Sequence, residues 1–169
     1  ITVLLCGQIR EPWLFREFMR VYILMQRAGI IDRIVLSTWK VELEQLGGTC
    51  DRLREYGVEL IANDEPVNFQ VSGNYFHQTC QLYSGLQEID SESWVFKTRP
   101  DVFLTFDNLQ NLFQSVMALP PVAAEPRVFS HRIWVPYFEV TQPFFISDVI
   151  FFGKRNDLLK LCSFDSSYE

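Results

Sequence analysis

The sequence predicts an α/β fold: a mostly parallel central sheet with helices on both faces and a mixed C-terminal half. Three observations carry this. Short, continuously apolar runs alternate with stretches of helical periodicity from residue 1 to about 104. That rhythm is the signature of strand–helix–strand crossovers. The apolar runs lack the in/out alternation of a half-exposed strand, as expected for strands covered on two faces. Finally, 48% of the 169 residues are apolar and 15% aromatic, enough for one substantial core.

The first run, Thr2-Val3-Leu4-Leu5-Cys6, breaks at Gly7 and reads as a buried strand. Pro12 opens a helix through about Ala28, with Leu14, Phe18, Val21, Tyr22 and Met25 at helical spacing. A proline is tolerated there because the first N–H groups of a helix have no intrahelical partner. Gly29 ends it. Ile34–Ser37 is the second strand, and residues 42–56 form a helix weakened by Gly47-Gly48. Val58–Ile61 is the third strand, followed by a polar loop containing Pro66 and Gly73. Residues 75–89 form a helix and Trp94–Thr98 a strand. Beyond 104 the pattern changes. Asp107 reads as the N-cap of a short helix through Phe113. Arg127–Val135 and Phe144–Phe152 are strand-like, and Asn156–Cys162 is helix-like. The whole, 1–169, reads as one domain. Residues 1–104 read as a parallel nucleotide-binding half and 105–169 as a mixed second half, and the chain reads as a fragment of a longer protein.

The net charge of −6 argues against a nucleic-acid partner, which requires a basic face. No run approaches the length of a membrane span. Cys6, Cys50, Cys80 and Cys162 are widely spaced, with no Cys-x-x-Cys pair. They read as reduced, mostly buried thiols in a cytoplasmic protein rather than a zinc site or disulfide framework.

In open parallel sheets, ligands bind beyond the C-terminal strand ends. The polar residues expected there are Gly7, Gln8 and Arg10 after the first strand, Ser37, Thr38 and Trp39 after the second, and Asn63 and Asp64 after the third. Lys97, Arg99 and Asp101 follow the fourth. Gly7 permits close backbone approach, Gln8 offers a donor and an acceptor to a base, and Arg10 pairs with a phosphate. In 94-WVFKTRPDVFL-104 the charged residues recur every second position. They share a face if the chain stays extended, which Pro100 favours. Either they meet a polyanionic ligand, with or without a metal, or Arg99 and Asp101 form an internal ion pair. Asp148, within 144-FFISDVIFFGK-154, is either a general base of raised pKa or a turn-capping carboxylate. His77 and His131 lack triad or metal spacing and read as packed or surface histidines. No Gly-x-Ser-x-Gly, Walker-type loop or Gly-x-Gly-x-x-Gly is present.

Four pieces, 4-LLCGQIR-10, 34-IVLSTW-39, 96-FKTRPDVFL-104 and 147-SDVIFFGKRNDLLKL-161, together resemble the WavE-type glycosyltransferase-like proteins of lipopolysaccharide core synthesis. The resemblance implies a Rossmann-like GT-A fold, a nucleotide-sugar donor and a glycan or glycolipid acceptor of the bacterial surface. Through that acceptor it also implies peripheral contact with the inner membrane. In such enzymes an Asp-x-Asp motif holds a divalent metal on the diphosphate. Here the segment reads Arg99-Pro100-Asp101, with arginine in place of the first carboxylate. The expectation is therefore twofold. Asp101 holds Mg²⁺ or Mn²⁺, or Lys97 and Arg99 neutralise the leaving diphosphate directly. Gln8, Arg10 and Thr38 would hold the nucleotide, Asn63 or Asp64 its base or ribose, and Asp148 would deprotonate the acceptor. The other classes open are a non-catalytic nucleotide- or glycan-binding domain and a nucleotidyltransferase. The last wants a richer glycine loop than Gly7-Gln8-Ile9-Arg10.

Overall fold

A computed structural model describes residues 1–66, 75–102, 104–120, 128–136 and 149–162. The described elements run β1 (Thr2–Cys6), α1 (Pro12–Arg27), β2 (Arg33–Trp39), α2 (Lys40–Leu46), α3 (Gly48–Glu55) and β3 (Val58–Asn63). Then come α4 (Tyr75–Gln87), β4 (Trp94–Thr98), α5 (Phe106–Met117), β5 (Phe151–Lys154) and α6 (Arg155–Leu161). The sheet order is β3-β2-β1-β4-β5. The first four strands are parallel and β5 is antiparallel to β4. The α/β class and the mostly parallel sheet are as the sequence predicts.

Strand alternation sorts the core into two layers. Val3, Leu5, Ile34, Leu36, Phe96 and Phe152 face Phe15, Met19 and Tyr22 of α1 and Leu109 and Phe113 of α5. Leu4, Cys6, Val35, Val95 and Phe151 face Leu82 and Leu86 of α4 and Leu158 of α6. A strand whose two faces are both covered favours apolar residues on both, hence the long apolar runs. Gly85 sets the spacing of the second layer. A Cβ there would come within 2.5 Å of Leu4 Cδ1, so a larger residue would force Leu4 or α4 to shift.

Several boundaries differ from the sequence reading. The helix expected over 42–56 is two helices, because Gly47 adopts φ 50° between them. β2 runs on through Trp39, since Thr38 and Trp39 pair with Ala62 and Asn63. The N-cap of α5 is Thr105, not Asp107. The Thr105 hydroxyl accepts from the Asn108 N–H at 3.3 Å, and Asp107 sits in the first turn, where the helix dipole favours it. Of the strand expected over 127–135, the described part makes one isolated bridge, Trp134 to Phe152. Among the described residues, no helix is long and apolar enough to cross a membrane.

Candidate ligand-binding cleft

The sheet order reverses between β1 and β4, because β1 connects onward to β2 on one side while β4 lies on the other. A crevice opens at such a point beyond the strand ends. Here it encloses about 100 Å³. Gly7, Gln8 and Arg10 line it from the end of β1, Trp39 from β2, and Arg99 from the end of β4. Glu65 adds a carboxylate after β3, and His77, Gln78 and Gln81 line it from α4.

Gly7 holds the two central strand ends together. Its φ is 135°, a conformation side chains rarely adopt. A Cβ there would lie 3.3 Å from Pro100 Cδ and 3.7 Å from Arg99 Cγ. The loop after β1 is braced from α2, where the Glu42 carboxylate accepts from Ile9 N–H at 3.2 Å. Thr38 is fully buried below this loop. Its hydroxyl, 2.9 Å from Gly7 O, also contacts the Glu42 carboxylate. Thr38 therefore fixes the loop and is not presented to a ligand, contrary to the sequence expectation. Asn63 is also structural: its Nδ2 donates to Ser37 Oγ at 2.9 Å and to Thr38 O at 3.0 Å. Asp64 is exposed and its neighbour Glu65, not Asp64, borders the cleft.

The charged segment after β4 does not converge as expected. The chain leaves extended geometry at Arg99, where the Val102 N–H donates to Arg99 O in a turn. The every-second-residue rule stops applying there. Lys97 is only 1% exposed, in the layer with Cys6 and Phe151. Its Nζ donates to Val149 O at 3.4 Å and lies 5.3 Å from the centre of the Phe151 ring. It does not line the cleft among the described residues. Arg99 does, and it grips Asp101 with two parallel hydrogen bonds, Nε to Oδ1 at 2.8 Å and Nη2 to Oδ2. Arg10 Nη1 stands 3.9 Å from the same Oδ2. The internal ion pair and the cleft-facing arginine are thus both present.

That geometry tests the metal expected at Asp101. Both carboxylate oxygens are directed at a guanidinium, with a second one beside them, and a divalent cation would have to displace Arg99 and sit against two positive charges. The described residues here do not fit a divalent metal. Asp148, the expected general base, lies outside the described residues.

Two features of the cleft were not read as such from the sequence. The Gln81 side chain is 1% exposed, and its Nε2 has no hydrogen-bond partner among the described residues; the same holds for Gln78 Oε1. A buried amide group without a partner is costly, about 1–3 kcal/mol, and so is rarely left this way. The sequence signal was available in one stripe of α4. Gln78, Leu82 and Leu86 recur at four-residue spacing, polar at the cleft end and apolar against the sheet. His77 also reaches the cleft and meets Trp39 edge-to-face at 5.6 Å.

Away from the cleft, Asp157 is a buried carboxylate. It accepts from Ser130 N–H and His131 N–H, each at 2.8 Å, and from Lys160 Nζ at 3.2 Å, with His131 Nδ1 at 3.1 Å. Burial pushes its pKa up, but these donors outweigh burial and hold it below the ordinary value. Burial pushes the Cys6 and Cys162 thiols up to about 12, against the opposing charge of Lys97, so neither supplies a thiolate at neutral pH.

No family model matches the chain, and no curated protein matches it significantly.

Proposed function

We propose that this chain is the nucleotide-sugar-binding domain of a glycosyltransferase of GT-A type, acting on a bacterial surface polysaccharide or lipopolysaccharide acceptor. The observation that supports the reading best is the pairing, at the topological switch point, of a side-chain-free backbone at Gly7 with two guanidinium groups, Arg10 and Arg99. A diphosphate seated there would accept charge-assisted hydrogen bonds from both arginines. In glycosyl transfer, negative charge builds on the departing diphosphate as the bond to the anomeric carbon breaks. Cations fixed in advance beside it lower that barrier without reorganising. Arg99 is held in place by Asp101, so on this reading Asp101 is a positioning residue for the arginine and not a metal ligand. The cleft formed by the described residues is smaller than the ~300–1,000 Å³ usual for a whole ligand, so a nucleotide-sugar would seat one portion here and extend past them.

A second reading is favoured by that same ion pair. With the first carboxylate of the motif replaced and the second neutralised, the cleft would serve equally as a nucleotide- or glycan-binding module without turnover. Calorimetric titration with a panel of nucleotide-sugars, together with an assay for slow donor hydrolysis, separates the two. Binding with hydrolysis supports the transferase, and binding alone supports the module. Absence of binding at millimolar donor would discard both.

A further inference from the structure

The two unpartnered amide atoms in the cleft are complementary to one another. Gln81 Nε2 is a donor and Gln78 Oε1 an acceptor, three residues apart on α4 and therefore on one face of it. Both residues line the cleft. Their setting is rigid. Ser37 Oγ donates to Gln81 O at 2.7 Å and accepts from Asn63 Nδ2, so the helix is pinned to the ends of β2 and β3 at this point. Gly85, one turn on from Gln81, allows the close approach to β1 that brings the amides to the strand ends. The rings of Trp39 and His77 border the same space.

We infer that Gln78 and Gln81 read the hydrogen-bonding edge of a nucleobase. The required partner presents an acceptor next to a donor on a flat group small enough for a narrow crevice with ring walls. The Watson–Crick edge of a nucleobase meets that description, whereas a phosphate offers acceptors only and would leave Gln78 Oε1 unsatisfied. This rests on the nucleotide-binding reading above and assigns its two ends: base at α4, diphosphate at Arg10 and Arg99. It also moves base recognition to a helix, from Gln8 at the first strand end and from Asn63 or Asp64, which were expected at the base or ribose. A site built to hydrogen-bond a ligand discriminates strongly against ligands lacking the matching groups, because its own buried polar atoms are then left unpaired.

The test is calorimetry on the whole chain with the four common nucleoside diphosphates and with inorganic pyrophosphate as the base-free probe. At least one nucleoside diphosphate is expected to bind tenfold or more tightly than pyrophosphate. Gln81→Leu, which keeps the bulk and removes the amide, should cancel about a tenfold share of that preference and leave pyrophosphate affinity unchanged. Gln78→Leu should do the same, so the test survives if either variant misfolds; a thermal melt identifies which have folded. Equal affinity for pyrophosphate and every nucleoside diphosphate would overturn the base-reading role while leaving the diphosphate site standing. Folded variants of both glutamines that bind nucleotides like the wild type would overturn it as well. No binding by any probe would overturn this inference and the nucleotide-binding reading together.

Discussion

The two ends of the parallel sheet are built on opposite principles. At the end where the strands begin, charges close on one another. Arg33 pairs with Glu59 at 2.7 Å and with Asp90 at 3.6 Å, and donates to Glu88 O. Lys154 donates to Glu92 O, Arg155 to Leu86 O, and Asp157 collects the donors of Ser130, His131 and Lys160. At the end where the strands finish, two arginines share one carboxylate and two buried amide atoms have no partner among the described residues. Identical backbone topology thus carries a finished end and an unfinished one. The finished end stabilises the fold, and the unfinished end has interactions left to offer a ligand.

The comparison breaks first at Arg99. Arg99→Ala should lower nucleoside diphosphate affinity by about tenfold to a hundredfold, the share carried by charge-assisted hydrogen bonds. Arg99→Lys should recover part of it, because the charge remains but the fork does not. Titration calorimetry reads both, and unchanged affinity in Arg99→Ala would remove the diphosphate role.

Asp157 tests the other end. Asp157→Ala leaves the Ser130 and His131 N–H groups without their acceptor and should cost about 2–3 kcal/mol in denaturant unfolding. Nucleotide affinity should not change. The pH dependence has a fixed sign. A carboxylate whose folded pKa lies below its unfolded one stabilises fully above the unfolded value, about pH 3.9, and loses that contribution as pH falls through the folded value. Wild type should therefore lose stability in that acid window more steeply than Asp157→Asn. Parallel pH profiles would assign the acid sensitivity elsewhere.

Gly7→Ala lies between the two ends in kind. Forcing a side chain into φ 135° against Pro100 should cost about 1–3 kcal/mol and weaken ligand binding at once, since the loop carrying Gln8 and Arg10 must shift. A stable variant with intact affinity would show that the close approach is dispensable. The smallest effect belongs to Arg33→Ala, about 1 kcal/mol or less, because its ion pairs are partly solvent-exposed. Any change in nucleotide affinity there would blur the distinction between the ends.

How much of this was legible in the sequence follows from the range over which each signal acts. Strand ends are local features, so Gly7, Gln8, Arg10 and Arg99 were assigned to the cleft from the residues alone. Lys97 was not placed correctly. Strand alternation told which residues share its face, but not that α4 and α6 cover that face. Thr38 and Asn63 sit at the right strand ends, yet they are consumed by bonds to Gly7 O, Ser37 and Thr38 O that depend on tertiary register. Gln78 shares a stripe of α4 with Leu82 and Leu86, but that Gln78 and Gln81 line the cleft depends on how α4 packs on β1. The burial of Asp157 likewise depends on a distant segment, because Ser130 and His131 donate to it across the sequence.

The most direct test of the unfinished end is a crystal structure of the chain soaked with the tightest-binding nucleoside diphosphate. The account predicts diphosphate density within hydrogen-bonding distance of the Arg10 and Arg99 guanidinium groups, with the base at the Gln78 and Gln81 face of α4. Nucleotide bound elsewhere on the protein, with no ligand density beside Arg10 and Arg99, would contradict the account.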